Sequence, residues 1–76
     1  MKETTRCTLI FYSDEGNEPP HIHVRCAGVE ECKFWLAPVA LARNRGVSPY
    51  DLREIERLVF ENRKTLIDKY HEYHNL

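Results

Sequence analysis

Eight residues, Asn17-Glu-Pro-Pro-His-Ile-His-Val24, limit what this chain can fold into more than any others. Two adjacent prolines fix φ and remove two backbone donors, so no helix runs through them. The residue before each proline is pushed toward extended geometry. The chain must therefore leave a turn stiffly and enter a strand. Residues two apart on a strand share a face. His21, His23 and Arg25 then point one way, and Ile22, Val24 and Cys26 the other. The second set reads as a core face. The first places two imidazoles and a guanidinium side by side, facing water.

Around this stretch the other elements fall into order. Arg6 to Tyr12 reads as a strand from its β-branched and aromatic content. Ser13 to Asn17 has turn chemistry, and His21 to Cys26 follows as the second strand. Glu31 to Leu36 is the third strand, with Cys32, Phe34 and Leu36 inward and Lys33 and Trp35 outward. Val39 to Arg43, bracketed by Pro38 and Gly46, reads as a short edge strand, although five residues do not settle strand against helix by period. Asn44 to Gly46 reads as a turn, with Arg43 and Arg45 a solvated basic point. A helix then begins with Ser48 as N-cap, Pro49 in the first position and Asp51 near the positive dipole end. Leu52, Ile55, Val59, Leu66, Tyr70 and Tyr73 recur at helical spacing, with Asn62 interrupting the stripe. The expected architecture is α+β: a three- to four-stranded antiparallel meander with one long C-terminal helix packed on one face.

Seventy-six residues make one domain. The formal net charge of −1 gives no global attraction to nucleic acid or to a membrane. No apolar run approaches the roughly 20 residues that span a bilayer, and Met1 to Arg6 does not lead into a signal-peptide core. A cytoplasmic protein is expected. Cys7, Cys26 and Cys32 are an odd number without a C-x-x-C pair. The expectation is three reduced, buried thiols rather than a disulfide framework.

Five blocks carry a family resemblance: Phe11-Tyr-Ser-Asp-Glu-Gly16, Glu18-Pro-Pro-His-Ile-His-Val24, Lys33-Phe-Trp-Leu36, Leu41-Ala-Arg-Asn-Arg-Gly46 and Leu52-Arg-Glu-Ile-Glu-Arg-Leu-Val59. In this order they resemble the bacterial domain-of-unknown-function family 4160 over about residues 8 to 74. The resemblance implies a small bacterial protein, often encoded beside another small domain, in an arrangement like a toxin–antitoxin pair. It also implies an acidic residue where this chain has Ala37, so a role resting on that carboxylate has no carrier here.

The His21/His23 pair admits three readings. Two imidazoles on one strand face are half a site for a divalent transition metal. Asp14, Glu15 and Glu18, or His71 and His74, are the other ligands within reach. An acid–base pair with Arg25 holding developing charge would make a small hydrolase, such as a ribonuclease. As structure, the pair would brace the turn that carries Asp14 and Asn17. Tyr12, Arg25, Lys33 and Trp35 form an aromatic–basic set that suits a protein interface. The same set can stack bases, but without net positive charge a protein partner is favoured over nucleic acid. The function expected from the residues and the resemblance together is a binding module. It would dock a small protein encoded by a neighbouring gene, or a second copy of itself. A hydrolase using His21 and His23 is the alternative.

Overall fold

The computed structural model describes residues 7–11, 18–27 and 29–74. Four strands, β1 (Thr8–Ile10), β2 (His21–Arg25), β3 (Glu31–Leu36) and β4 (Val39–Arg45), form one antiparallel sheet in chain order. Two helices follow, α1 (Pro49–Glu61) and α2 (Arg63–His74). The architecture is α+β, with a four-stranded antiparallel sheet and a helical layer.

Why the sheet forms is visible in its register. Ile22 pairs with Phe34 and Val24 with Cys32, so the apolar positions of β2 and β3 meet on one face. Leu9 joins them opposite Val24. That face is the core: Ile22, Val24, Cys32, Phe34 and Leu36 are all but fully buried, packed with Ile55, Val59, Leu66 and Tyr70 of the helices.

The long helix expected from the sequence is two. Its break falls at Asn62, where the apolar stripe is interrupted. Asn62 leaves helical geometry at φ −112°, ψ 17°. Its backbone N–H and its side-chain Nδ2 both donate to the Leu58 carbonyl, at 3.1 and 2.8 Å. A short amide competes with the backbone for the same acceptors, which is why asparagine disfavours helix interiors and suits their ends. The helix resumes at once; Ile55 and Val59 of α1 and Leu66 and Tyr70 of α2 are buried in the core, whereas Phe60 and Tyr73, the latter expected in the apolar stripe, are exposed.

The start of α1 is as the sequence implies. Ser48 is extended at φ −68°, ψ 155°, and its Oγ accepts from the Asp51 N–H at 3.2 Å. Pro49 and Asp51 occupy the first turn. Ser48→Ala is expected to cost about 1 kcal/mol through the lost cap, read as a lower midpoint in thermal unfolding.

The strand before it runs further than expected. β4 extends through Arg43 and Arg45 rather than ending in a turn at Asn44. Asn44 does supply turn chemistry, but one step later. Its Oδ1 accepts from the Val47 N–H and its Nδ2 donates to the Val47 carbonyl, each at 3.0 Å. The reversal sits at Gly46, whose φ of 83° is a left-handed value that favours glycine. A bulge between Lys33 and Phe34 leaves Ala42 as the extra residue, since Lys33 faces Arg43 and Phe34 faces Leu41. Ala37 and Pro38, joined by a cis peptide, turn β3 into β4.

The cysteines also depart from expectation. Cys7 and Cys26 form a disulfide, with Cα atoms 4.0 Å apart, and only Cys32 is a free thiol. The register explains the pairing: Thr8 lies opposite Arg25, so the next pair outward is Cys7 with Cys26. Spacing along the chain does not reveal such a partner. The expectation of reduced thiols is overturned, and with it the argument from thiols to a reducing compartment. Burial, and secondarily the Glu31 charge, pushes the Cys32 thiol up to about 11 from 9.0, so it stays neutral and unreactive near pH 7. No helix among the described residues is long and apolar enough to cross a membrane.

Candidate functional site: the histidine face of the sheet

Opposite the core, the sheet carries three rows of side chains fixed by register. His21 lies beside Trp35, and Trp35 beside Ala40. His23 lies beside Lys33, and Lys33 beside Arg43. Arg25 lies beside Glu31, and Glu31 beside Arg45. His21, His23 and Arg25 do share a face opposite Ile22 and Val24, and Lys33 and Trp35 stand next to them as expected.

That face is not the solvated surface the alternation suggested. His21 and His23 are only 2% and 3% exposed, and Lys33 only 7%. Alternation decides which face a side chain is on, but its neighbours decide whether water reaches it. For His21 those neighbours are three rings: His23 at 5.3 Å, Trp35 at 6.0 Å and Tyr70 of α2 at 5.5 Å between centroids. The two prolines complete the enclosure. The Pro20 carbonyl accepts from the Leu36 N–H at 3.0 Å, which folds the entering segment onto β3. The Tyr70 hydroxyl donates to the Glu18 carbonyl at 3.4 Å, tying α2 to the same segment.

Each buried polar group has a reason to be tolerated. His21 Nδ1 lies 2.8 Å from the Pro19 carbonyl oxygen. A carbonyl only accepts, so Nδ1 is the donor of this bond. His23 Nδ1 stands 3.5 Å from the Glu31 carboxylate. Lys33 forms an ion pair with Glu18, and its ammonium sits 4.8 Å from the centre of the Trp35 ring. A buried ammonium is tolerated only with a partner, and here it has a carboxylate and a π face. Glu18 thus holds Lys33 and lies 3.8 Å from His21 Nδ1.

Sequence reasoning missed Glu18 as the partner of Lys33, and it missed Arg43 and Arg45 as members of this face. Their two-residue spacing was the available signal, overridden by the turn character of Asn44 and Gly46. His23, Glu31, Cys32, Lys33, Arg43 and Arg45 line a small open pocket of about 30 Å³. Arg25, Arg43 and Arg45 are exposed around it.

The structure does not bring every candidate together. Tyr12, Asp14, Glu15 and Asn17 lie outside the described residues, as does the side chain of His74. His71 is on α2, edge-on to Tyr70 at 5.7 Å. Among the described residues no group of three or more His, Cys, Asp or Glu side chains gathers as metal ligands would. A separate apolar groove of about 440 Å³ runs between the β3–β4 turn and the helices, with Pro38, Val39, Phe60 and Ile67 among its walls.

The fold and face define a small α+β protein with a cationic, partly aromatic sheet surface. The chain belongs to the family described as Domain of unknown function (DUF4160), whose model matches residues 7–71. Neither the curated proteins nor the solved structures contain a match.

Proposed function

We propose that this protein is a binding module, docking a small partner protein as one half of a toxin–antitoxin-like pair encoded by adjacent genes. One observation supports this above the others: the register adds Arg43 and Arg45 to the face that carries Arg25, Lys33 and Trp35 in three successive rows. Tryptophan and arginine are the residues that most often anchor interfaces. Lys33 takes part from below, by holding the Trp35 ring, rather than by reaching out itself. A cytoplasmic location goes with this reading, as does the possibility of a second copy as the occupant.

The hydrolase reading is the weaker one. The packing of the two imidazoles, with ring centroids 5.3 Å apart, favours it. The burial of both imidazoles weighs against it, because a substrate must reach them.

Co-expression with the neighbouring gene's product tests the reading. A stable complex on size exclusion with light scattering is the expected result. Separate elution of the two proteins, with this chain alone monomeric, would remove both the partner and the self-association forms of it.

A further inference from the structure

We propose that β4 is an open docking edge that receives an extended acidic segment of the partner protein as a fifth strand. The inference rests on the binding-module reading and specifies the partner's chemistry. β4 is the last strand of the sheet and, at seven residues, the longest. Among the described residues no segment pairs with its outer side. A strand edge presents a row of backbone N–H and C=O groups that templates another strand. When a partner segment adds there, backbone bonds supply affinity and side chains supply specificity.

Three features select the occupant. The first is charge. Arg43 and Arg45 are exposed, share the histidine face, and make no ion pair among the described residues. Behind them stand Lys33, His23 and Arg25, with Glu31 the single carboxylate in those two rows. Opposite charges across adjacent strands attract and like charges repel. The second is Leu41, which pairs with Phe34 on the other face and is 45% exposed. An incoming strand with an apolar residue on that side would cover it. The third is what the edge refuses. β4 contains no carboxylate, so pairing two copies would line four arginines along one joint. The arginines thus guard the edge against self-pairing while leaving it open to an acidic strand. A nucleic acid would satisfy the arginines but neither the backbone edge nor Leu41, and the chain's net charge of −1 does not favour it.

The probes are a synthetic peptide of Glu-Val repeats, its Lys-Val counterpart and an oligouridylate, each titrated into the 15N-labelled full chain. The Glu-Val peptide is expected to slow amide exchange along Val39–Arg45 and to bind about tenfold more tightly than the Lys-Val peptide. Arg43→Glu with Arg45→Glu should reverse that order. Arg43→Gln with Arg45→Gln should abolish the preference, and it serves if the charge reversal does not fold. Unchanged β4 amides, equal binding of both peptides, or a response to oligouridylate alone would overturn the proposal. The complex with the neighbouring gene's product, measured with the same variants, separates the two levels. A complex indifferent to both substitutions ends the edge proposal and leaves the binding module standing; no complex with the parent chain ends the binding module itself.

Discussion

Phe34→Ala is expected to bring the chain to the margin of unfolding. Phe34 is 1% exposed at the middle of the sheet, between Ile22 and Leu41, and is the largest side chain buried to that degree. Removing a buried phenylalanine ring costs about 3–5 kcal/mol in lost transfer energy and residual cavity. Native domains hold roughly 0.05–0.15 kcal/mol per residue, so 76 residues hold roughly 4–11 kcal/mol. The expected shift in midpoint is about 12 °C or more downward, at about 4–8 °C for each kcal/mol in domains of this size. Thermal unfolding followed by circular dichroism measures it. A midpoint within a few degrees of the parent would mean that the core is not centred on this face.

His21→Ala and His23→Ala should each destabilise the fold, by about 1–3 kcal/mol. The cause differs between them. His21→Ala takes away the donor of the part-buried bond to the Pro19 carbonyl and opens a gap among Trp35, Tyr70 and His23. His23→Ala removes the neighbour of Glu31 from the middle of the sheet. His71→Ala is the control, because His71 is exposed and such replacements usually stay within about 0.5 kcal/mol. Lowered midpoints for the first two and an unchanged one for the third are the pattern of a pair that braces the sheet. Unchanged midpoints for all three, together with a lost effect on growth of the host, are the pattern of a pair that does chemistry.

The sequence makes plain those features that depend on local rules. Prolines 19 and 20 force the entry to β2, strand alternation separates His21 and His23 from Ile22 and Val24, and Ser48-Pro-Tyr-Asp51 starts a helix. Each follows from backbone sterics or from one capping bond. What was not legible depends on register or on distant neighbours. Nothing near Cys7 says that Cys26 faces it; only the pairing of β1 with β2 does. Nothing near His21 says that Tyr70 covers it, because that contact joins the sheet to the last helix across 49 residues of chain. Arg43 and Arg45 join the site because a bulge at Ala42 rotates them onto the histidine face. The break at Asn62 was half legible: the interruption of the apolar stripe was in view, but not that Asn62 would take two bonds to Leu58.

Buried histidines and a lysine underlie the arginines of the sheet face that is proposed to meet a protein partner. Titration calorimetry with the neighbouring gene's product, using the parent chain and Arg25→Glu, tests this most directly. Arg25 is exposed at the rim of the face. The expected result is affinity lowered by about tenfold or more, equivalent to about 1.4 kcal/mol. Equal affinity for both proteins, or no heat of binding from the parent chain, would contradict it.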